Sequence, residues 1–247
     1  VQTINLFWRS VRWRFQNPVT IIMTLVQPLI WLLLFSTIFG GNKAEGNYTS
    51  FILPGILVMS VLSSSGVSGI ANYSLKTGGS YYRIKISPVK RSSIILAHIL
   101  DAAVLSFIQA AILIGISLLM SVRIASGISG VFIMIVLLFL TIAFVSALSY
   151  AISLTLPDEN SFIALVNTIT LPLFFVSSAL MPSEQIPQGF RIPVFINPFT
   201  HVIDSLRMLV LKSSIDWTQL ISTVGLLFVL CIASFALAVH SLNNENQ

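Results

Sequence analysis

Long apolar runs separated by short polar breaks set the pattern of this chain. The runs cover residues 18–39, 51–70, 94–121, 127–156, 161–180 and 220–240, each close to the roughly 20 residues a helix needs to cross a bilayer. The pattern predicts an all-α integral membrane fold of six transmembrane helices, forming a single transmembrane domain over residues 1–247. Residues 1–17 differ from these runs: Ile4, Phe7, Trp8, Val11 and Phe15 recur at helical spacing, with Arg9, Arg12 and Arg14 to the side. That predicts an amphipathic helix lying in the membrane interface, against the competing reading of a basic flank that only orients the first span. Asn17-Pro18 supplies a cap and a first-turn proline for that span. The run is longer than a signal-peptide core, so the span is expected to be retained.

Polar residues inside the runs mark candidate contacts. Gln27 and Pro28 interrupt the first span; proline frees a carbonyl there, so this span is expected to pack against protein. Ser60, Ser64, Gly66, Ser68 and Gly69 give the second span a small-residue face suited to close helix packing. Asp101 is the one acid well inside an apolar run, with His98 on the same helical face, and both a structural pairing and a conformational or substrate role are open for it. Asn167 and Thr170 sit within the fifth run and suit either a translocation path or a helix seam.

The segment 181–217 contains Pro182, Pro187, Pro193 and Pro198, so no single span crosses there. Asn197-Pro198 starts a short helix reaching about Leu211, too short to span and therefore re-entrant or interfacial. Within it Asp204 and Arg207 stand three residues apart and can pair.

Composition agrees with the pattern: 55% of residues are hydrophobic and 9% charged, too few charges to cover a soluble surface. The formal charge of +5 does not signal nucleic acid, because the bases flank apolar runs without forming a separate basic face. Lys76, Arg83, Lys85, Lys90 and Arg91 fall in one stretch, 73–93, with no acidic residue. Short basic loops stay in the cytoplasm, which places this loop and both termini inside and the 181–217 segment outside. Cys231 is the single cysteine, so no internal disulfide forms.

Catalytic and metal motifs are not found. Gly127-Ile128-Ser129-Gly130 and His240 imitate an intramembrane serine protease, but the expected topology separates them by about the membrane thickness, some 30 Å, where about 3 Å is required. No glycine is followed by lysine, so the sequence given holds no phosphate-cradling loop, and ATP, if used, is bound on another chain.

The stretch Phe174-Phe175-Val176-Ser177-Ser178-Ala179-Leu180-Met181-Pro182, then Ile186-Pro187, then Asn197-Pro198-Phe199-Thr200 with Asp204 and Arg207, resembles the permease subunits of ABC type 2 exporters, in the daunorubicin- or multidrug-exporter-like branch. Gly79-Ser80, Ser87-Pro88-Val89 and Arg91 are similar to that family's segment after the second span. The resemblance implies a transport subunit without enzymatic activity, working with a second permease copy or homologue, two soluble ABC ATPase subunits and the lipids of a bacterial-type cytoplasmic membrane. ATP and Mg would be held by the ATPases, with no cofactor on this chain. It further implies a coupling helix in 73–93, where Gly79, Tyr81, Tyr82, Arg83, Lys85, Ser87, Pro88 and Arg91 would meet the ATPase. Residues 1–17 would form a connecting helix. The gate segment would use Pro182, Pro187, Asn197, Pro198, Asp204 and Arg207, and a path or dimer seam would use Gln27, Pro28, Asn167, Thr170, Asp101 and His98. The implied cargo is hydrophobic or amphipathic, such as a drug, antibiotic or lipid. A six-span channel or ion-coupled carrier, and a polysaccharide or glycan exporter, stay open as alternatives.

Overall fold

In the computed structural model the described residues are 18–39, 48–77, 91–181 and 187–244. Among them there are nine α-helices and no strand: α1 (Pro18–Phe39), α2 (Tyr48–Gly66), α3 (Ile70–Thr77), α4 (Arg91–Leu119), α5 (Gly127–Thr155), α6 (Glu159–Phe175), α7 (Gln188–Ile196), α8 (Pro198–Leu211) and α9 (Trp217–Asn244). The expected interfacial helix, the coupling residues Gly79 to Pro88 and Pro182 lie outside the described residues.

Four helical stretches of the described residues are long and apolar enough to cross a membrane: Tyr48–Leu75, Arg91–Leu119, Gly127–Thr155 and Trp217–Asn244. The pair α7–α8, bent by 89°, adds a fifth if taken as one span. Thr24–Ile38 within α1 and Glu159–Phe175 are apolar but shorter. These lengths and compositions make the chain a multi-pass membrane protein.

The second run is the centre of the bundle. Ile52, Leu53, Ile56, Leu57, Val58 and Val61 of α2 are wholly buried, because α1, α4, α5, α6 and α8 all pack around it. Serine hydroxyls join its neighbours: Ser64 and Ser65 meet Ser106 of α4 at 2.8 and 3.3 Å, and Thr49 meets Ser36 of α1. These bonds satisfy side chains that lipid could not. α1 continues as one helix through Pro28, whose ring is buried, and it does pack on protein.

The bundle departs from the apolar runs where another helix supplies polar atoms. The second span was expected to end at Ile70, but its helical path runs through a 3-10 turn at Val67–Gly69 and on to Thr77. Ser149 of α5 explains the turn, donating to the Gly66 carbonyl at 2.6 Å and accepting from the Gly69 amide at 2.9 Å. Gly69 is needed there, since a Cβ would stand 2.8 Å from both the Phe162 ring and the Ser149 carbonyl. Beyond the turn Asn72 reaches Ser153 at 2.6 Å, which holds α3 against α5.

The fifth run was expected to be helical to Leu180, whereas α6 stops at Phe175, three residues after Pro172. Its other end is capped by Asp158, which accepts from the amide and hydroxyl of Ser161 at 2.8 and 2.7 Å. Those two bonds lower the Asp158 pKa, because they favour the ionised carboxylate.

Candidate functional site

Of the expected gate residues, Asn197, Pro198, Asp204 and Arg207 lie at the start of α8 and along it. Asn197 sits at the bend between α7 and α8 and serves three backbone groups at once. Its Oδ1 accepts from the Phe199 amide at 3.0 Å, capping α8, while Nδ2 donates to the carbonyls of Leu173 and Val176 at 2.7 and 2.6 Å. Those carbonyls lie at the end of α6, where helix ends leave acceptors unserved. Pro198, at the first turn of α8, has no amide to satisfy and starts the helix at no cost.

Arg207 fixes the other flank. It is 8% exposed, and its Nη1 stands 3.1 Å from Asp204 Oδ1. Its Nε donates to the Phe51 carbonyl at 3.2 Å, and its Nη2 donates to the carbonyls of Ser178 and Ala179 at 2.7 and 3.2 Å. The guanidinium carbon also lies 3.8 Å from the centre of the Phe51 ring. Asp204 in turn accepts from the Ser178 hydroxyl at 2.6 Å. The planar fork of arginine can serve this many acceptors in one plane; a lysine could not. At the far end of α8, Ala125 donates to the Val210 carbonyl at 3.0 Å and Ser126 Oγ to that of Leu209 at 2.6 Å. α8 is therefore held at both ends and buried along its length, with Val202, Ile203, Leu206 and Leu209 wholly enclosed.

Close backbone approach completes the lock. A Cβ on Gly55 would lie 3.0 Å from Ala179 Cβ and 3.1 Å from its Cα and carbonyl oxygen, so glycine lets α2 seat the segment after α6. The expected Asp204–Arg207 pair is present, and Pro187 caps the start of α7. A cleft of about 480 Å³ between α7 and α8 is lined by Arg191, Phe195, Thr200, His201 and Asp204, among others.

A second cleft, of about 430 Å³, opens between α1, α2, α4 and α6. Gln27 with Thr24 lines it from α1, and Ser60, Ser63 and Ser64 from α2. Gln109 faces it from α4, and Asn167 and Thr170 from α6. Every polar group on its wall is neutral. Gln109 is 1% exposed, and its Oε1 has no hydrogen-bond partner.

Of the expected path residues, Gln27, Asn167 and Thr170 thus share one cleft, while Pro28, Asp101 and His98 do not line it. His98 Nε2 instead meets Ser68 Oγ at 3.1 Å, and its ring packs edge-on to Tyr150. Asp101 is buried within α4. Arg91 is exposed at the start of α4. The sequence reading missed Gln109, although it is the one carboxamide in the run 94–121. The protease imitation stays apart: Cys231 Sγ meets the Leu140 carbonyl at 3.1 Å, which fixes the depth of α9 against α5. From that level Ser129 and His240 lie in opposite directions, about 30 Å apart at 1.5 Å per residue. Among the described residues no group of three His, Cys, Asp or Glu could hold a metal.

The sequence pattern of the ABC-2 type transporter family matches residues 1–211. The chain is 30% identical over 205 residues to the transport permease ycf38 of Cyanophora paradoxa, covering 81% of this chain and 70% of that one. It is 29% identical over 211 residues to ycf38 of Porphyra purpurea, covering 83% and 71%. It is 25% identical over 241 residues to the daunorubicin resistance ABC transporter permease protein DrrB1 of Streptomyces coeruleorubidus, covering 97% of this chain and 83% of that protein.

Proposed function

The chain belongs to the ABC-2 type transporter family, and from that premise we propose that it is the membrane-spanning permease of an ATP-driven exporter. Two permease chains would form the route and two soluble ABC ATPase subunits would supply the energy. In this reading α1 and α6 complete a set of six spans in a bacterial-type cytoplasmic membrane. The basic stretch 73–93 faces the cytoplasm and the ATPase, and α7 and α8 form the outer gate. The observation that carries the reading is the neutral polar cleft shared by α1, α2, α4 and α6 in an otherwise apolar bundle. Such groups are costly in lipid and are accounted for by a second protein surface or a passing substrate. The cargo is hydrophobic or amphipathic, since the route must pass exposed apolar helix faces such as Ile22, Ile30 and Ile169. Asp101 and His98, which an ion-coupled carrier would use, are not among the cleft residues.

The test is purification of the chain from its native membrane, followed by reconstitution into vesicles. An ATPase with a phosphate-binding loop is expected to co-purify, and extrusion of an amphipathic dye is expected to require ATP and that subunit. Charge reversal of Arg83 and Lys85 together is expected to lower coupled ATPase turnover while leaving insertion intact. Flux through the chain alone, indifferent to ATP, would overturn the reading.

A further inference from the structure

The cleft between α7 and α8 has surroundings that the lock around α8 does not explain. On the nine residues of α7, Phe190, Ile192, Phe195 and Ile196 are all large, apolar and 60–73% exposed. So much bare apolar surface on one short helix of a membrane protein is accounted for by lipid chains. Among these side chains stands Arg191, exposed and lining the cleft of about 480 Å³. Asp204 of α8 lines the same cleft with the opposite charge. The bonds its carboxylate accepts, from Arg207 and the Ser178 hydroxyl, both fall on Oδ1, and the side chain keeps 25% exposure. Oδ2 is not among the enclosed atoms and meets no donor among the described residues. The two walls of the cleft are pre-set: His201 Nε2 donates to the Phe195 carbonyl at 2.9 Å and the two rings meet edge to face, which ties α8 back onto α7.

We propose that this cleft seats the headgroup of a resident zwitterionic phospholipid bearing a primary ammonium, with its phosphate on Arg191 and its ammonium on Asp204 Oδ2. A lone anion would be opposed by the carboxylate and a lone cation by the guanidinium, whereas a headgroup that carries both signs a few atoms apart meets each with its opposite. A guanidinium has five N–H donors, so it can serve a phosphate alongside a protein neighbour. The primary ammonium supplies the donor that Oδ2 lacks; a trimethylammonium has no N–H to give. The acyl chains run along the exposed apolar side chains of α7. The lipid is a fixed part of the bend and not the cargo, so the inference stands apart from the permease reading and needs only that the chain lies in a membrane.

The test uses the full chain with its co-purified partners in detergent and a phosphatidylethanolamine that carries a photoreactive diazirine on one acyl chain. Labelling is mapped by peptide and is expected on 188–196. Unlabelled dioleoyl phosphatidylethanolamine, phosphatidylcholine and phosphatidylglycerol then compete for those peptides. The ethanolamine lipid is expected to compete about tenfold more effectively than either of the others, the value of one charge-assisted hydrogen bond at a part-exposed site. Arg191→Gln is expected to lower labelling of 188–196 by about threefold to tenfold while the ethanolamine-to-choline ratio holds, because both lipids carry the phosphate. Asp204→Asn is expected to bring that ratio to about one. Should the loss of the Arg207 pair prevent Asp204→Asn from folding, Arg191→Gln and the three competitors on the unaltered protein decide the matter without it. Equal competition by the ethanolamine and choline lipids, tighter binding of the glycerol lipid, labelling undiminished by Arg191→Gln, or an unchanged ratio in folded Asp204→Asn would overturn the proposal. So would a full-yield disulfide between two copies through Ile192→Cys in a Cys231→Ala background, which would show that a second chain covers this face.

Discussion

Replacing Arg207 by methionine tests the lock around α8 directly. The substitution preserves much of the side-chain volume but removes the partner of Asp204 and the donor to three backbone carbonyls, those of Phe51, Ser178 and Ala179. Breaking a buried ion pair from one side costs about 3–5 kcal/mol, because the remaining charge and acceptors stay buried without a partner. Here the Asp204 side chain is 25% exposed and keeps the Ser178 hydroxyl, which puts the loss near the low end, about 3 kcal/mol. For a chain of this size that corresponds to an apparent melting midpoint lower by about 6–12 °C. Arg207→Lys retains the charge without the fork and is expected to lose about 1–2 kcal/mol. The double variant Arg207→Met with Asp204→Asn no longer leaves a carboxylate stranded, so it should be less destabilised than the sum of the two single changes. The assay is thermal unfolding of the purified protein in detergent at one scan rate, followed by tryptophan fluorescence. A change below about 2 °C for Arg207→Met, or strict additivity in the double variant, would refute the argument.

Two further substitutions probe the same region. Asn197→Ala removes a helix cap, worth about 1 kcal/mol. It also leaves two carbonyls without a donor, for a total of about 2–4 kcal/mol; hydrogen exchange should rise together at 173–181 and 198–203, and a rise in only one would show that Asn197 does not join them. Gly55→Ala is expected to cost about 1–3 kcal/mol through the Ala179 backbone. Gly115→Ala, with open space around the added carbon, should be neutral or more stable by up to about 1 kcal/mol; paired melting curves compare the two.

The apolar runs made much of the architecture legible, because a helix that crosses lipid must carry its hydrophobicity continuously along the chain. The run 18–39 is helical throughout, with Pro28 inside it. The Asp204–Arg207 pair was legible for the same local reason, since three residues place two side chains on one helix face. What the sequence did not reveal depends on other helices. The helical path of the second span continues past Ile70 because Ser149, some eighty residues later, serves both sides of the 3-10 turn. α6 stops at Phe175 because Asn197 accepts responsibility for its terminal carbonyls, and nothing near Phe175 states this. The cleft was half legible: Gln27, Asn167 and Thr170 are polar breaks in apolar runs, whereas Gln109 joins them only because α4 packs on α2 and α1. Asp101 drew attention as a lone acid, yet its position in α4 lies outside the cleft lining.

The bond between Arg207 and the Phe51 carbonyl spans 156 positions of sequence. At a synthesis rate of about 5–20 residues per second, the start of α2 waits roughly 8–30 s for the side chain that completes its surroundings. The central helix is therefore synthesised long before the end that carries Phe51 is fastened. A ribosome that stalls ahead of Arg207 leaves a protein with most of its hydrophobic mass inserted and this fastening absent, a molecular mark by which an unfinished chain differs from a finished one.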